Sequence, residues 1–378
     1  MSSEIISEVK LGDYIVHKKG FAFKSSEIYK DGQPIVKVTN FTGDSINMNN
    51  CFFINKIEAK KYLDYQIYQN DIIIATVGSW PNNPNSIVGK VIRVPKIAEG
   101  SLLNQNAVRL RSKNKINQLF LYYRLRCKDF SDYLISGARG SANQASISLE
   151  DIFKFKFKLP SIITQIRIAA LFSSLDDKIE LNRQNNQTLE GIAQTLFKEM
   201  CVPKGVELPE GWRIGKLGEV LEIKYGKDHK HLEDGNIPVY GSGGIMRYAN
   251  KALYEHESIL IPRKGTLSNL FYINKPFWSV DTMFYTKIKN NMHGKFLFLL
   301  LKTLNLASMN VGSAVPSLTT QVLNNIEITL PPDEIIIKFD DIVTPFFTTL
   351  EYNEQENQTL CTLRDSLLPK LMKWEIEI

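Results

Sequence analysis

Residues 180-ELNRQNNQTL-189 return as 351-EYNEQENQTL-360, 171 positions later. Glu180/Glu351, Asn182/Asn353 and Gln184/Gln355 agree, as does the whole run Asn186 to Leu189 against Asn357 to Leu360. The match extends backward without a gap. Leu159-Pro160 meets Leu330-Pro331, Ile152 meets Leu323, and Ser146-Ile147-Ser148 meets Ser317-Leu318-Thr319. Gly140-Ser141-Ala142 answers Gly312-Ser313-Ala314 with one residue of slippage. Each half opens on a second match, Lys10-Leu11-Gly12-Asp13 against Lys216-Leu217-Gly218-Glu219, at an offset of 206. From there to the Leu-Pro pair the first half has 150 residues and the second 115. A single long period of this kind marks a duplication, not a solenoid. Each copy carries a variable block and a closing block of fixed length.

The fixed blocks read as long helices. In 161–200 the apolar residues Ile163, Ile166, Leu171, Leu175, Ile179, Leu189, Ile192, Leu196 and Met200 step mostly by three and four, with a polar middle at Asn182 and Asn186. Pro160 precedes the helix, and Pro203 with Gly205 ends it. Residues 333–372 follow the same plan, with a kink or a later start expected at Pro345 and the end trimmed by Pro369. About 38 helical residues reach roughly 57 Å, too long for one domain to wrap. The second copy is the nearest partner, giving an antiparallel coiled coil. The residues expected to pair are Leu175, Ile179, Asn182, Asn186 and Leu189 with Phe346, Leu350, Asn353, Asn357 and Leu360. The asparagines either lie in the seam, where they set register, or sit on a solvated face.

The variable blocks read as β-rich. Strands are expected at 34–40, 71–78, 87–94, 106–111 and 152–159, then at 237–243, 258–265, 270–274, 282–288 and 325–330. Each block has one helical patch, 118–127 or 294–305. The order of elements agrees, so one fold with different loops is expected twice. Those loops are rich in the residue types that read bases and hold phosphates. The first block supplies Lys37, Asn40 and Thr42, then Ser79, Trp80, Asn82 and Asn83, then Asn104 and Gln105, and finally Arg139, Asn143 and Gln144. The second supplies Lys224, Tyr225, Lys227 and Lys230, with Tyr240, Ser242 and Gly243, and Arg263, Lys264 and Asn269. Any one such loop is equally explained by turn chemistry; the repetition on a basic chain favours nucleic acid.

The charge agrees. The chain has 378 residues, a net charge of +6 and a pI near 8.9. Residues 1–160 hold 23 Lys/Arg against 14 Asp/Glu, and 219–330 hold 12 against 9. Residues 333–365 reverse this with 2 against 8, so that segment suits a protein partner better than a polyanion. The scattered Cys51, Cys127, Cys201 and Cys361 form no C-x-x-C pair, which fits a reducing compartment without structural zinc. The opening 1-MSSEIISEVKLGDY has no apolar signal core and the longest apolar run, 296-FLFLLL-301, is too short to span a membrane, so a cytoplasmic location is expected. No P-loop, H-E-x-x-H, G-x-S-x-G or amino-methyltransferase tetrapeptide occurs. Asp176-Asp177 read as solvated charges and His229/His231 as turn residues. No catalytic and no metal-binding residue is expected.

With these features in hand, the chain resembles the specificity (S) subunits of Type I restriction–modification systems. The resemblance is carried by 159-LPSIITQIRIAALFSSLDDKIELNRQNNQTLEGIAQTLFKEM-200 and its second copy, 208-LPEGWRIGKLGEV-220, 237-IPVYGSGGI-245, 258-SILIPRKGT-266 and 279-SVDTMF-284, and covers nearly the whole chain. The first domain departs in starting at Lys10 without an LPEGW-like lead-in. The resemblance implies an α+β, pseudo-twofold protein with target recognition domains at 1–160 and 204–331 and long spacer helices at 161–203 and 332–378. Each domain reads one half of a split site in double-stranded DNA. The helices set the spacer and dock two modification (methyltransferase) subunits, to which restriction subunits are added. The chain itself is implied to be non-catalytic and to bind no cofactor, with S-adenosylmethionine, ATP and Mg on its partners. Two other readings remain: a coiled-coil scaffold without DNA specificity, and a self-sufficient nuclease or methyltransferase with a cryptic site.

Overall fold

The computed structural model describes residues 7–49, 51–80, 86–113, 115–141, 144–205, 207–290, 293–309 and 317–376. The chain forms two compact units, Met1–Glu180 with Glu356–Ile378, and Leu181–Gln355. Both long helices, Ile162–Cys201 and Asp333–Met372, cross the division, so each unit holds half of each.

In the first unit a four-stranded sheet runs in the order Ile15–Lys19, Ala107–Ser112, Ile72–Ala75, Val91–Arg93. A three-stranded sheet has Gln33–Val36 at its centre, antiparallel to Phe52–Ile54 and parallel to Leu102–Leu103. Ser7–Lys10 pairs with Lys156–Leu159 at the base. The second unit repeats this plan. Its four-stranded sheet is Leu221–Tyr225, Met283–Ile288, Ser258–Pro262, Phe271–Ile273. Its three-stranded sheet centres on Ile237–Gly241, antiparallel to Gly244–Ala249 and parallel to Trp278–Ser279. Arg213–Lys216 pairs with Glu327–Leu330. The first unit adds a small sheet of Val77–Gly78, Arg139–Ser141 and Gln144–Ser146. Its counterpart in the second unit is a bridge between Lys264 and Ser317, and Ser317 lies 171 residues after Ser146.

Both units turn out of their first sheet strand by the same device. Gly20 N–H donates to the Ala107 carbonyl, and Gly226 N–H to the Met283 carbonyl, each at 2.9 Å. A Cβ at Gly20 would lie 2.0 Å from the Asn104 carbonyl oxygen, and one at Gly226 would lie 2.1 Å from that of Val280. Only glycine lets the chain pass so close to a backbone oxygen.

The closing blocks also match. The region 152–159, expected as one strand, divides into a short helix, Leu149–Lys154, and the strand Lys156–Leu159. The Ser148 hydroxyl caps that helix by accepting from Asp151 N–H, and Thr319, 171 residues on, caps Thr320–Asn324 through Val322 N–H. A Ser/Thr cap opens a short helix just before the closing strand in both copies.

The helices run antiparallel within each unit. In the second, Phe197 meets Phe339 and Asn186 meets Asn353, partner numbers falling as the others rise. In the first, Asp176 meets Arg364 and Lys178 meets Glu356. The buried face of the first helix is Gln165, Ile168, Ala169, Phe172, Asp176, Ile179, Asn182, Ala193, Phe197 and Cys201. This corrects the apolar seam expected from sequence: Ile163 is 63% exposed, Ile166 51% and Ile192 43%. The seam includes small and paired polar residues, whereas several large apolar ones point outward. Ile168 and Phe172 join the first domain's core with Leu368 and Leu371, while Ala193 and Phe197 join the second's with Ile336, Phe339 and Val343. Burying each phenylalanine contributes about 2–3 kcal/mol, so each domain and its helix segments stabilise one another.

Pro345 and Pro369 both lie inside Asp333–Met372, which corrects the expected break and trimmed end. An internal proline costs about 3 kcal/mol. The Thr344 hydroxyl donates to the Asp340 carbonyl, and Val343 is buried in the second domain's core with Phe346 and Phe347 packed against it, which holds the helix through the proline.

Substituting Gly20 or Gly226 by alanine is expected to lower unfolding free energy by about 1–3 kcal/mol. Gly191→Ala, where a Cβ meets nothing within 4 Å, should instead raise it by up to about 1 kcal/mol. Urea titrations of the three variants check both signs.

Candidate nucleic-acid interface

The loops of each unit gather at one end of its four-stranded sheet because neighbouring strands are antiparallel and in register. In the second unit Tyr225 pairs with Phe284, and Pro262 with Met283. The loops after Tyr225, after Pro262 and before Met283 therefore lie side by side. The hairpin at 241–244 joins them through Val280 N–H to the Tyr240 carbonyl (3.0 Å) and the Asn269 amide to the Ser242 carbonyl (2.7 Å). In the first unit Lys19 pairs with Val108 and Ala75 with Ala107. Asn104 N–H donates to the Val36 carbonyl at 2.9 Å, bringing the 37–47 loop to the same end.

The candidate residues divide by what their side chains already do. Gln105, Arg139 and Gln144 in the first unit, and Lys227, Lys230, Gly243 and Lys264 in the second, are exposed at this end. Tyr225 is 51% exposed, its ring held edge-on by Phe284 and covered by the Arg263 guanidinium at 5.5 Å. Arg263 also donates to the Asp281 carbonyl at 3.0 Å, so the Arg–Tyr pair is a fixed cationic and aromatic platform. Lys224 is drawn to Glu222 at 2.5 Å, and Lys37 lies over the Phe52 ring at 3.4 Å. Thr42 is exposed, but its hydroxyl accepts from Ser45 N–H.

Other candidates are structural. Asn40 is buried, its side chain accepting from Lys37 N–H and donating to the Asn47 carbonyl, so its amide holds the turn. The Asn104 amide donates to the Phe21 carbonyl at 3.5 Å, and Trp80 packs on the core with its indole N–H on the Ser141 carbonyl. Ser79 is half-buried, its carbonyl accepting from Ser86. Tyr240 is buried against Phe271 and Phe277, and burial pushes its hydroxyl well above the ordinary range. Its place in the central strand of a sheet removes it from any surface. Asn82, Asn83 and Asn143 lie outside the described residues.

Sequence reading passed over Lys19, exposed in the first unit at the position 206 residues before Tyr225, and Met246, 60% exposed on the hairpin strand. The offset itself signals the first; an apolar residue on a short strand gives no signal for the second.

Among the pairing candidates, Ile179, Asn182 and Asn353 are buried, and Leu175, Asn186, Leu189, Phe346, Leu350, Asn357 and Leu360 are half-buried. The Asn353 amide donates to the Asn186 carbonyl oxygen at 2.7 Å. Asp176 is not a solvated charge: it is buried between Arg364 (2.6 Å) and the Tyr123 hydroxyl (2.8 Å), while Asp177 is exposed and paired with Arg93. Among the described residues no group of three His, Cys, Asp or Glu side chains is placed to hold a metal, and no helix is long and apolar enough to cross a membrane. Burial pushes the Cys127 and Cys201 thiols up to about 11 and about 12.

Residues 5–191 and 209–361 match the family described as Type I restriction modification DNA specificity domain, and the chain belongs to that family. It is similar to the MjaIX Type I restriction enzyme specificity subunit of Methanocaldococcus jannaschii, with 26% identity across 73% of each chain. The MjaVIII specificity subunit of the same organism is 24% identical across 98% of this chain and 92% of its own. The crystal structure of the S subunit of a Type I restriction–modification system from M. genitalium has the same fold, with a TM-score of 0.58, 19% identity and coverage of 98% of this chain and 97% of that one. The chain is thus a non-catalytic specificity subunit, concerned with DNA sequence recognition in a restriction–modification system.

The two tyrosines separate core from surface. Tyr240→Ala is expected to cost about 3–5 kcal/mol of stability, and Tyr225→Ala less than about 1 kcal/mol, as read by denaturant unfolding.

Proposed function

We propose that residues 1–160 and 204–331 are two target recognition domains, each reading one half of a bipartite site in double-stranded DNA. The helices within 161–203 and 332–378 set the unread spacer between the half-sites and dock two modification subunits, to which restriction subunits are added. The observation that carries this reading is the pair of identical strand orders bearing unlike loops. One frame with two different sets of side chains at its loop end suits one site with two different halves. Arg263, Lys264, Lys227 and Tyr225 offer the second domain contacts to base edges and phosphates.

Docking is supported by the outward faces of the helices. Ile166, Leu171, Leu181 and Ile192 are exposed on the first, and Ile337, Ile342, Tyr352 and Leu363 on the second. Each lies 171 residues from its counterpart. Exposed apolar residues serve neither solubility nor the seam, and their repetition suits the same partner bound twice. In this reading S-adenosylmethionine, ATP and magnesium are bound by the partner subunits, and methylation and cleavage belong to them.

Methylome sequencing of cells expressing the chain with and without a modification subunit tests the proposal. A split methylated-adenine motif that requires both is expected; no new motif alongside an active modification subunit sinks it. A second test inserts four residues after Gln184 and four after Gln355. The insertion exceeds one helical turn only slightly and adds roughly 6 Å, so the spacer should lengthen while both half-sites stay the same. An unchanged spacer rules out the helices as the ruler.

A further inference from the structure

The most heavily charged interior of the first unit surrounds Arg364. Its side chain is buried, and its guanidinium donates to Asp176 at 2.6 Å, Asp365 at 2.8 Å and Asp44 at 3.3 Å. Tyr123 donates to the other oxygen of Asp176, and Arg126 lies within 4.0 Å of Asp176 and 3.9 Å of Asp365. Asp176, Asp365 and Arg364 are helix residues; Asp44 is not. It belongs to the loop between Phe41 and Ile46, which form an isolated antiparallel bridge. That loop closes through Thr42 N–H to the Ser45 carbonyl, and Lys90 crosses to the Thr42 carbonyl at 2.8 Å.

The frame does not require this cluster. The residues equivalent to Asp176 and Arg364 at the repeat offset are Phe347 and Ala193, an apolar pair in the second unit's core region. Helix pairing therefore succeeds without ions at this level. Burying an arginine with carboxylates gains little stability over a well-packed apolar pair, so its presence in one copy calls for another role. The contact that an apolar pair cannot make is the one to Asp44, which fastens a recognition-domain loop to the helix 320 residues away in sequence.

We infer that Arg364 is a positioning residue for the 41–47 loop, through which the second long helix governs what the first recognition domain reads. The inference rests on the DNA-reading role proposed above. Arg364 touches no DNA in this scheme; it fixes Asp44, which fixes the loop. Exchange of the first domain for another would then preserve its specificity only where the incoming loop carries an acid for Arg364.

The test uses the full-length chain. Asp44→Asn removes the loop's charge and leaves the Asp176–Arg364 pair in place. Losing one charged hydrogen bond is expected to speed amide exchange in 41–47 about tenfold, with helix amides unchanged. In selection from a randomised duplex library, the same variant should lose roughly tenfold discrimination per base pair in one half of the motif only. Arg364→Met should do the same with some loss of stability, and Arg364→Lys should restore part of the discrimination. A wild-type motif left equally sharp by Asp44→Asn, or unchanged exchange in 41–47, overturns the inference alone. A wild-type chain that selects no motif overturns the DNA-reading role and the inference with it.

Discussion

The antiparallel helix pair is the constraint on which the rest of the structure depends. Its seam is too polar and too thinly apolar to be a self-sufficient coiled coil. Asp176, Asn182 and Asn353 are buried on the paired faces, where a self-sufficient coiled coil carries mostly apolar residues. Association is instead driven from both sides. Phe172 with Leu368 and Leu371, and Phe197 with Phe339, are shared between helices and domain cores. The helix segments cannot separate without opening a domain, and a domain loses part of its core without both segments. The buried polar groups then contribute register more than stability: sliding Asn353 by one turn leaves both it and Asn186 without the 2.7 Å hydrogen bond.

Duplication explains how one frame carries two different sets of loops. The features common to both units are those that geometry forbids changing: the strand order, the glycines at 20 and 226, and the Ser148 and Thr319 caps. What differs is attached to them. Tyr225 with Arg263 occupies in the second unit the place held by Lys19 with Thr76 in the first, as the strand registers require. A rigid scaffold with variable loops is the usual division of labour between folding and recognition. Here both versions of the division are in one chain.

The frame was legible in the sequence to the extent that repetition exposed it. The offset of 171 located the long helices and the closing strands before any periodicity was considered, but the short capped helices before those strands were not read from it. Individual side chains were less legible, for identifiable reasons. Reading the seam from apolar letters pointed to Ile163 and Ile166, because nothing local reveals that Asp176 has an arginine waiting 188 positions away. Pro345 looked like a break because the threonine hydroxyl and core packing that sustain the helix are tertiary facts. Asn40 and Tyr240 looked like readers because loop asparagines and tyrosines do serve that role; their neighbours had already engaged them. Arg263, Lys264 and Tyr225 stay candidates because their cationic and aromatic groups lie at the loop end of the sheet and outside the core.

The exposed isoleucines and leucines close the argument about the helices. A side chain on a paired helix faces its partner, a domain or the solvent. The first two directions account for the buried sets, and solvent should favour charge. Yet the solvent faces keep Ile166 and Ile337, Leu171 and Ile342, Leu181 and Tyr352, Ile192 and Leu363 at matching positions. The loops show that the two copies have diverged freely wherever the frame permits. An outward apolar residue retained in both copies is therefore not required by the folded chain alone, and it supports the proposal of a shared protein partner on each helix. The acidic balance of 333–365 acts in the same direction, since it disfavours a phosphate backbone against that face. The loop ends and the helix exteriors are thus chemically different surfaces of one duplicated frame, polar and cationic at the first, apolar and acidic at the second.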